Sequence, residues 1–180
     1  PLYVFTLGQA AELTGNIDYA VQAYERSIAL DPSYIKPRIN LGVLYDVRGK
    51  YNQALDQLLT AYKIAPDSLE VNNNLGNVYL HAELYSDAIT HYKKAVASQP
   101  NATLMRYNLA IAYLETDQTA LAKDALVELI KIDSSFWDGY YRLGMLLYAE
   151  GDTEAAKTIF NKLLEKNPDY SRRSEIEALL

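Results

Sequence analysis

The groups that catalysis would draw on are few in this sequence. His81 and His91 are its two imidazoles, ten residues apart, without HExxH-like spacing and without an acidic partner in register. They read as solvated or edge-packed side chains rather than as metal ligands or general bases. There is no cysteine, which excludes disulfides, thiolate zinc sites and cysteine nucleophiles. Paired acids such as Glu150 and Asp152 read as solvated helix ends. No nucleophile and base pair, glycine-rich phosphate loop or metal-spaced carboxylate cluster stands out, so the chain reads as non-catalytic, with no cofactor and no metal. What does stand out is amides: Asn72, Asn73, Asn74 and Asn77 surround Leu75 and Gly76 inside a stretch whose apolar spacing is helical. Glycine alone costs about 1 kcal/mol relative to alanine in a helix interior. Packing, a ligand, or both must compensate.

The composition fits a folded chain, with 180 residues, 49% hydrophobic and 22% charged. A net charge of -6 disfavours nucleic acid and anionic membranes as main partners, since both reward clusters of Lys and Arg. No apolar run approaches a membrane span and no signal-peptide pattern is visible, so a soluble protein without direct membrane insertion is expected, of cytoplasm or periplasm. The sequence begins at Pro1, as a fragment or a processed product would.

The elements that position these residues follow from a repeat. Steps of 34 from Gly76 land on Gly8, Gly42, Ala110 and Gly144, and a leucine precedes each of the five: Leu7, Leu41, Leu75, Leu109 and Leu143. Twelve residues beyond the small positions stand Ala20, Ala54, Ala88, Ala122 and Ala156. Twenty-four beyond them stand Pro32, Pro66, Pro100, Ser134 and Pro168. In the central unit, Val71, Leu75, Val78, Tyr79 and Ala82 form one helical stripe, and Tyr85, Ala88, Ile89, Tyr92, Ala95 and Val96 a second. Breaks are predicted at Gly15-Asn16, Gly49-Lys50 and Gly151-Asp152, where glycine supplies a left-handed residue, and before each proline. Two helices per repeat follow, in pairs 1–34, 35–68, 69–102, 103–136 and 137–170, expected to form a single domain because a lone hairpin cannot bury enough apolar surface.

The recurrence of Leu7-Gly8, Ala20, Tyr24, Ser27 and Pro32 as Leu75-Gly76, Tyr79, Ala88, Tyr92, Ala95 and Pro100 resembles the tetratricopeptide repeat. The resemblance covers residues 1 to 170 and implies an all-α, right-handed superhelical solenoid. The family's early tryptophan position is here Val4, Arg38, Asn72, Arg106 and Tyr140, and the fourth repeat has Ala110 for glycine and Ser134 for proline. Residues 171–180 read as a capping helix, with Ser171 or Ser174 as N-cap and Ile176, Leu179 and Leu180 as its apolar stripe. The opposite end has no such cap, so Leu2 and Phe5 are expected to lie exposed unless upstream sequence covers them; self-association through this end is an alternative role.

The resemblance further implies that the first helix of each pair lines a concave groove for a peptide or helix of a partner protein. Transposing by 34 places Phe5 and Gln9 on that lining from the first repeat, and Ile39 and Val43 from the second. The third supplies Asn73, Asn77 and His81, the fourth Tyr107 and Ile111, the fifth Tyr141, Met145 and Tyr148. Asn40, Asn74 and Asn108 form a ladder at its border, able to hold a peptide backbone or to satisfy neighbouring helices. Some family members grip a C-terminal carboxylate with Lys and Arg in these helices; here those places hold Phe5, Ile39, Asn73, Tyr107 and Tyr141, and Lys36 is the only basic residue of the lining, against the acidic Glu12, Asp46, Glu70, Glu115 and Asp138. The expected partner is therefore a protein segment with apolar and basic residues. The alternatives are a regulatory or substrate-recruiting arm of a larger enzyme, and a self-associating structural protomer.

Overall fold

The computed structural model describes residues 1–180, and every regular element in it is helical. In order these are α1 (Leu2–Leu13), α2 (Ile17–Leu30), α3 (Lys36–Val47), α4 (Tyr51–Ile64), α5 (Leu69–His81), α6 (Tyr85–Ser98), α7 (Thr103–Leu114), α8 (Thr119–Ile132), α9 (Trp137–Ala149), α10 (Thr153–Lys166) and α11 (Arg173–Glu177). The chain divides into two compact units, Pro1–Gln99 and Pro100–Leu180.

In the first unit α1 pairs with α2, α3 with α4 and α5 with α6, while α2 packs on α3, α4 on α5 and α3 on α5. Its core includes two clusters. Phe5, Ala11, Ala20, Tyr24, Leu41 and Leu44 form one; Ile39, Ala54, Leu58, Val71, Leu75 and Val78 lie in the other, and Tyr45 packs against both. In the second unit α7 pairs with α8 and α9 with α10, with α8 against α9. Leu126, Leu129, Tyr140, Phe160 and Leu163 are fully buried there.

The small residue of each first helix faces a large one on the second. A methyl group built on Gly8 would meet Tyr24, on Gly42 Leu58, on Gly76 Tyr92 and on Gly144 Phe160. The glycines are thus the places where two helix axes close on a bulky, fully buried side chain, which compensates their poor helical propensity.

Between the paired helices the chain turns through one left-handed residue: Gly15, Gly49 and Gly151 in three repeats, but Glu83 at φ 61° and Asp117 at φ 56° in the others. The same closing bond recurs five times, from Asn16 N–H to Ala11 O, Lys50 to Tyr45, Leu84 to Tyr79, Gln118 to Tyr113 and Asp152 to Leu147, all 2.8 to 3.0 Å. The carbonyls at the helix end are satisfied whatever the side chain, so packing imposes the turn and a non-glycine residue bears strain. Glu83→Gly is expected to raise stability by about 0.5–1 kcal/mol, and Asp117→Gly by less because aspartate tolerates this conformation better. Thermal unfolding of both variants checks this, and a lower midpoint for Glu83→Gly refutes the strain account.

The second helices stop where the residue before proline leaves helical geometry, at Asp31, Ala65, Gln99 and Asn167. In the fourth repeat Asp133 does the same without a proline, its carboxylate accepting from the Ser135 backbone N–H at 2.9 Å and hydroxyl at 2.6 Å.

Both chain ends depart from the sequence reading. Phe5 is buried, packed between the rings of Tyr24 at 5.7 Å and Tyr34 at 5.5 Å, while Leu2 and Tyr3 are exposed. At the other end Ile176 is fully buried, but the N-cap is Arg172, with no side-chain cap bond from either serine. The last segment is held instead by side chains of α9. Tyr141 donates to Glu175 Oε1 at 2.5 Å, Arg172 lies 4.8 Å over the Tyr141 ring, and Tyr170 donates to Asp138 at 2.7 Å.

Candidate functional site

In the first unit a side-chain contact joins two successive first helices. His81 of α5 contacts the Asp46 carboxylate of α3 through Nδ1 at 2.9 Å. This is an acidic partner that sequence spacing does not reveal, because it lies 35 residues away on the preceding first helix. Val43 stands one turn before Asp46 and is exposed; Asn73, Asn74 and Asn77 stand one and two turns before His81 and are half-buried.

Between α1 and α3 lies an open pocket of about 540 Å³ lined by Gln9, Glu12, Leu13 and Asn40. A hydrogen-bonded chain crosses beneath it. The Asn40 amide donates to the Tyr24 hydroxyl at 3.0 Å, and that hydroxyl donates to Glu12 Oε2 at 2.7 Å. Burial of the ring, followed by the neighbouring carboxylate and against the pull of Asn40, pushes the Tyr24 hydroxyl up to about 12. It remains a neutral donor at any ordinary pH.

The predicted lining residues therefore separate into three groups. Phe5, Ile39 and Tyr141 are buried and belong to the packing between helices. α3 is flanked by α2, α4 and α5, so its free arc is narrower than the half-circle a helical wheel suggests. Asn40 and Asn77 are tied to tyrosines of the second helices, Asn77 accepting from Tyr92 at 2.7 Å. By contrast, no side-chain hydrogen bond within the protein engages Asn73 or Asn74. Gln9, Val43 and His81 are exposed.

In the second unit Tyr107 is half-buried against Phe136, with ring centroids 5.2 Å apart, and accepts from Arg142 Nε at 3.4 Å. Asn108, Ile111 and Met145 are half-buried, and Tyr148 is exposed. Tyr141 faces inward, tilted against Phe160 and Tyr170; burial and its bond to Glu175 raise its pKa, and Arg172 opposes them.

No three His, Asp or Glu side chains gather in a way that would hold a metal ion, and no helix is long and apolar enough to cross a membrane. Models of the tetratricopeptide repeat match residues 3–34, 39–103, 105–136 and 138–170. The chain belongs to the tetratricopeptide repeat family. Its fold agrees with that of MamA, at a TM-score of 0.86 and 24% identity over 92% of this chain and 96% of the other. MamA 41-end from Desulfovibrio magneticus RS-1 gives a TM-score of 0.87 at 19% identity, covering 94% of this chain and 96% of its own. YrrB, described as a TPR protein with an unusual peptide-binding site, gives 0.85 at 18% identity, covering 97% and 90%. A search of curated protein sequences finds no match. The tetratricopeptide repeat accounts for the recurring leucine, small residue and proline, but not for the free amides of α5 or the pocket beside α1.

Proposed function

We propose that this tetratricopeptide repeat chain is a non-catalytic interaction module that holds a segment of a partner protein along the first helices of its repeats. The reading rests above all on Asn73 and Asn74. These two adjacent, half-buried amides of α5 make no side-chain hydrogen bond inside the protein, and the exposed His81 lies two turns further along the same helix. An amide both donates and accepts, so it matches a peptide backbone without reading its side chains. Rigid helix pairs fix such groups before the partner arrives, which lowers the ordering cost of binding. The peptide-binding site ascribed to YrrB, a protein of the same fold, supports the assignment. On α1, α3 and α5 the acidic Glu12, Asp46 and Glu70 stand against Lys36 and Arg38, and Arg38 is bonded to Gln57, which favours a partner segment with apolar anchors and basic residues over an acidic one.

The test is a peptide selected against the whole chain and titrated with Asn73→Ala/Asn74→Ala. Loss of two hydrogen bonds of about 0.5–1.5 kcal/mol each predicts affinity weaker by roughly fivefold or more, at an unchanged unfolding midpoint. Equal affinity for both proteins refutes a role for the amides.

A further inference from the structure

We propose that the pocket between α1 and α3 recognises a basic side chain, arginine or lysine, of the bound segment; this inference rests on the peptide-binding function proposed above. The argument comes from the direction of the hydrogen bonds beneath the pocket. An ionised carboxylate accepts and does not donate, so the bond between Tyr24 and Glu12 must be donated by the hydroxyl. The hydroxyl has one proton, so its bond to Asn40 must come from the amide nitrogen, which fixes the orientation of that amide. The Tyr24 proton and one of the two Asn40 N–H groups are therefore committed toward Glu12.

Two acceptors are left without a donor from the protein: Oε1 of Glu12 and Oδ1 of Asn40. A site that offers a carboxylate oxygen and an amide oxygen favours a donor-rich cation, and the carboxylate charge repels an anion. Leu13, 89% exposed, gives the methylene stem of such a side chain an apolar wall. The pocket, at about 540 Å³, has room for the side chain together with the backbone that carries it. The Gln9 amide adapts to either guest.

The experiment is selection of displayed random peptides on the whole chain, followed by fluorescence-anisotropy titration. The selected peptides are expected to share an arginine or lysine whose replacement by citrulline or norleucine weakens binding about tenfold or more. Glu12→Gln is expected to weaken the basic peptide to a similar extent and to leave the citrulline peptide unaffected, since glutamine still accepts from Tyr24 but carries no charge. Gln9→Glu adds charge at an exposed position and should tighten the basic peptide about threefold, a gain that an unfolded protein cannot mimic. Selected peptides without a required basic residue, or with one that responds to neither variant, overturn the pocket while the peptide-binding function stands. Selection of no peptide at all overturns both.

Discussion

Gly76→Leu is expected to lower the unfolding midpoint by about 6–12 °C, an overpacking penalty of about 3 kcal/mol in a chain of this size. Helix propensity predicts the opposite sign, because any side chain at an interior glycine should stabilise α5, alanine by about 1 kcal/mol. Packing decides between them. A Cβ at position 76 would stand 2.6 Å from Cε1 and 2.7 Å from Cδ1 of Tyr92, where carbon atoms prefer 3.5 to 4.0 Å. Tyr92 cannot step aside: it is fully buried, and its hydroxyl is tied to Asn77. Even Gly76→Ala should therefore destabilise. The fourth repeat suggests the rescue, because its corresponding residues are Ala110 and Leu126, both fully buried. Adding Tyr92→Leu to Gly76→Ala should recover part of the loss by removing the ring that the new methyl strikes. Thermal unfolding followed by circular dichroism measures all three variants, and a Gly76→Ala protein as stable as the parent would mean that propensity outweighs the contact.

That contact explains why the fold is legible in the sequence while much of the site is not. A leucine, a small residue, an alanine and a proline recur every 34 residues because each repeat must solve the same packing problem, so ten helices, the helix ends before proline and a buried Ile176 all follow from local spacing. The glycine turns were half visible: Glu83 and Asp117 adopt the same left-handed geometry without the residue that would announce it. Burial of Phe5, Ile39 and Tyr141 was hidden for another reason. A helical wheel locates the stripe that faces one partner, whereas α3 packs on α2, α4 and α5 at once, and the further contacts are set by how pairs stack. Cross-helix polar pairs were hidden as well. The partners of His81, His91 and Tyr24 are 35, 19, and 12 and 16 residues away, distances that carry no signal until the stacking is known.

The buried pair of Asn72 and His91 carries the other large effect. The sequence reading of His91 as solvated or edge-packed is overturned, since it is 8% exposed, stacked on Tyr79 at 5.5 Å and edge-on to Tyr62 at 5.2 Å. Asn72 donates to Pro66 O at 2.8 Å and Ser68 O at 2.9 Å, which turns its oxygen toward His91 Nδ1, 2.9 Å away. The imidazole must therefore carry its proton on Nδ1, and Asn72 is the reason. Asn72→Ala leaves that donor and the Pro66 carbonyl without partners, and should cost about 2–6 kcal/mol at roughly 1–3 kcal/mol per unsatisfied group. Burial first, then the charge of Lys94, depresses the His91 pKa, with Asp87 acting the other way. Lys94 itself is bonded to the hydroxyl of Tyr62 and lies over its ring, and Tyr79 is a neutral phenol whose pKa burial raises. With the folded pKa below the unfolded value near 6.5, the unfolded chain binds the proton first as pH falls. The contribution of His91 to stability is then present above pH 6.5 and is lost as pH falls from there toward the folded pKa. His91→Gln keeps an amide donor for Asn72 and removes the titration. The difference in unfolding free energy between parent and variant should shrink as pH is lowered from about 7.5 to 5. A difference that stays constant over that range would show that His91 titrates alike in the folded and unfolded chains.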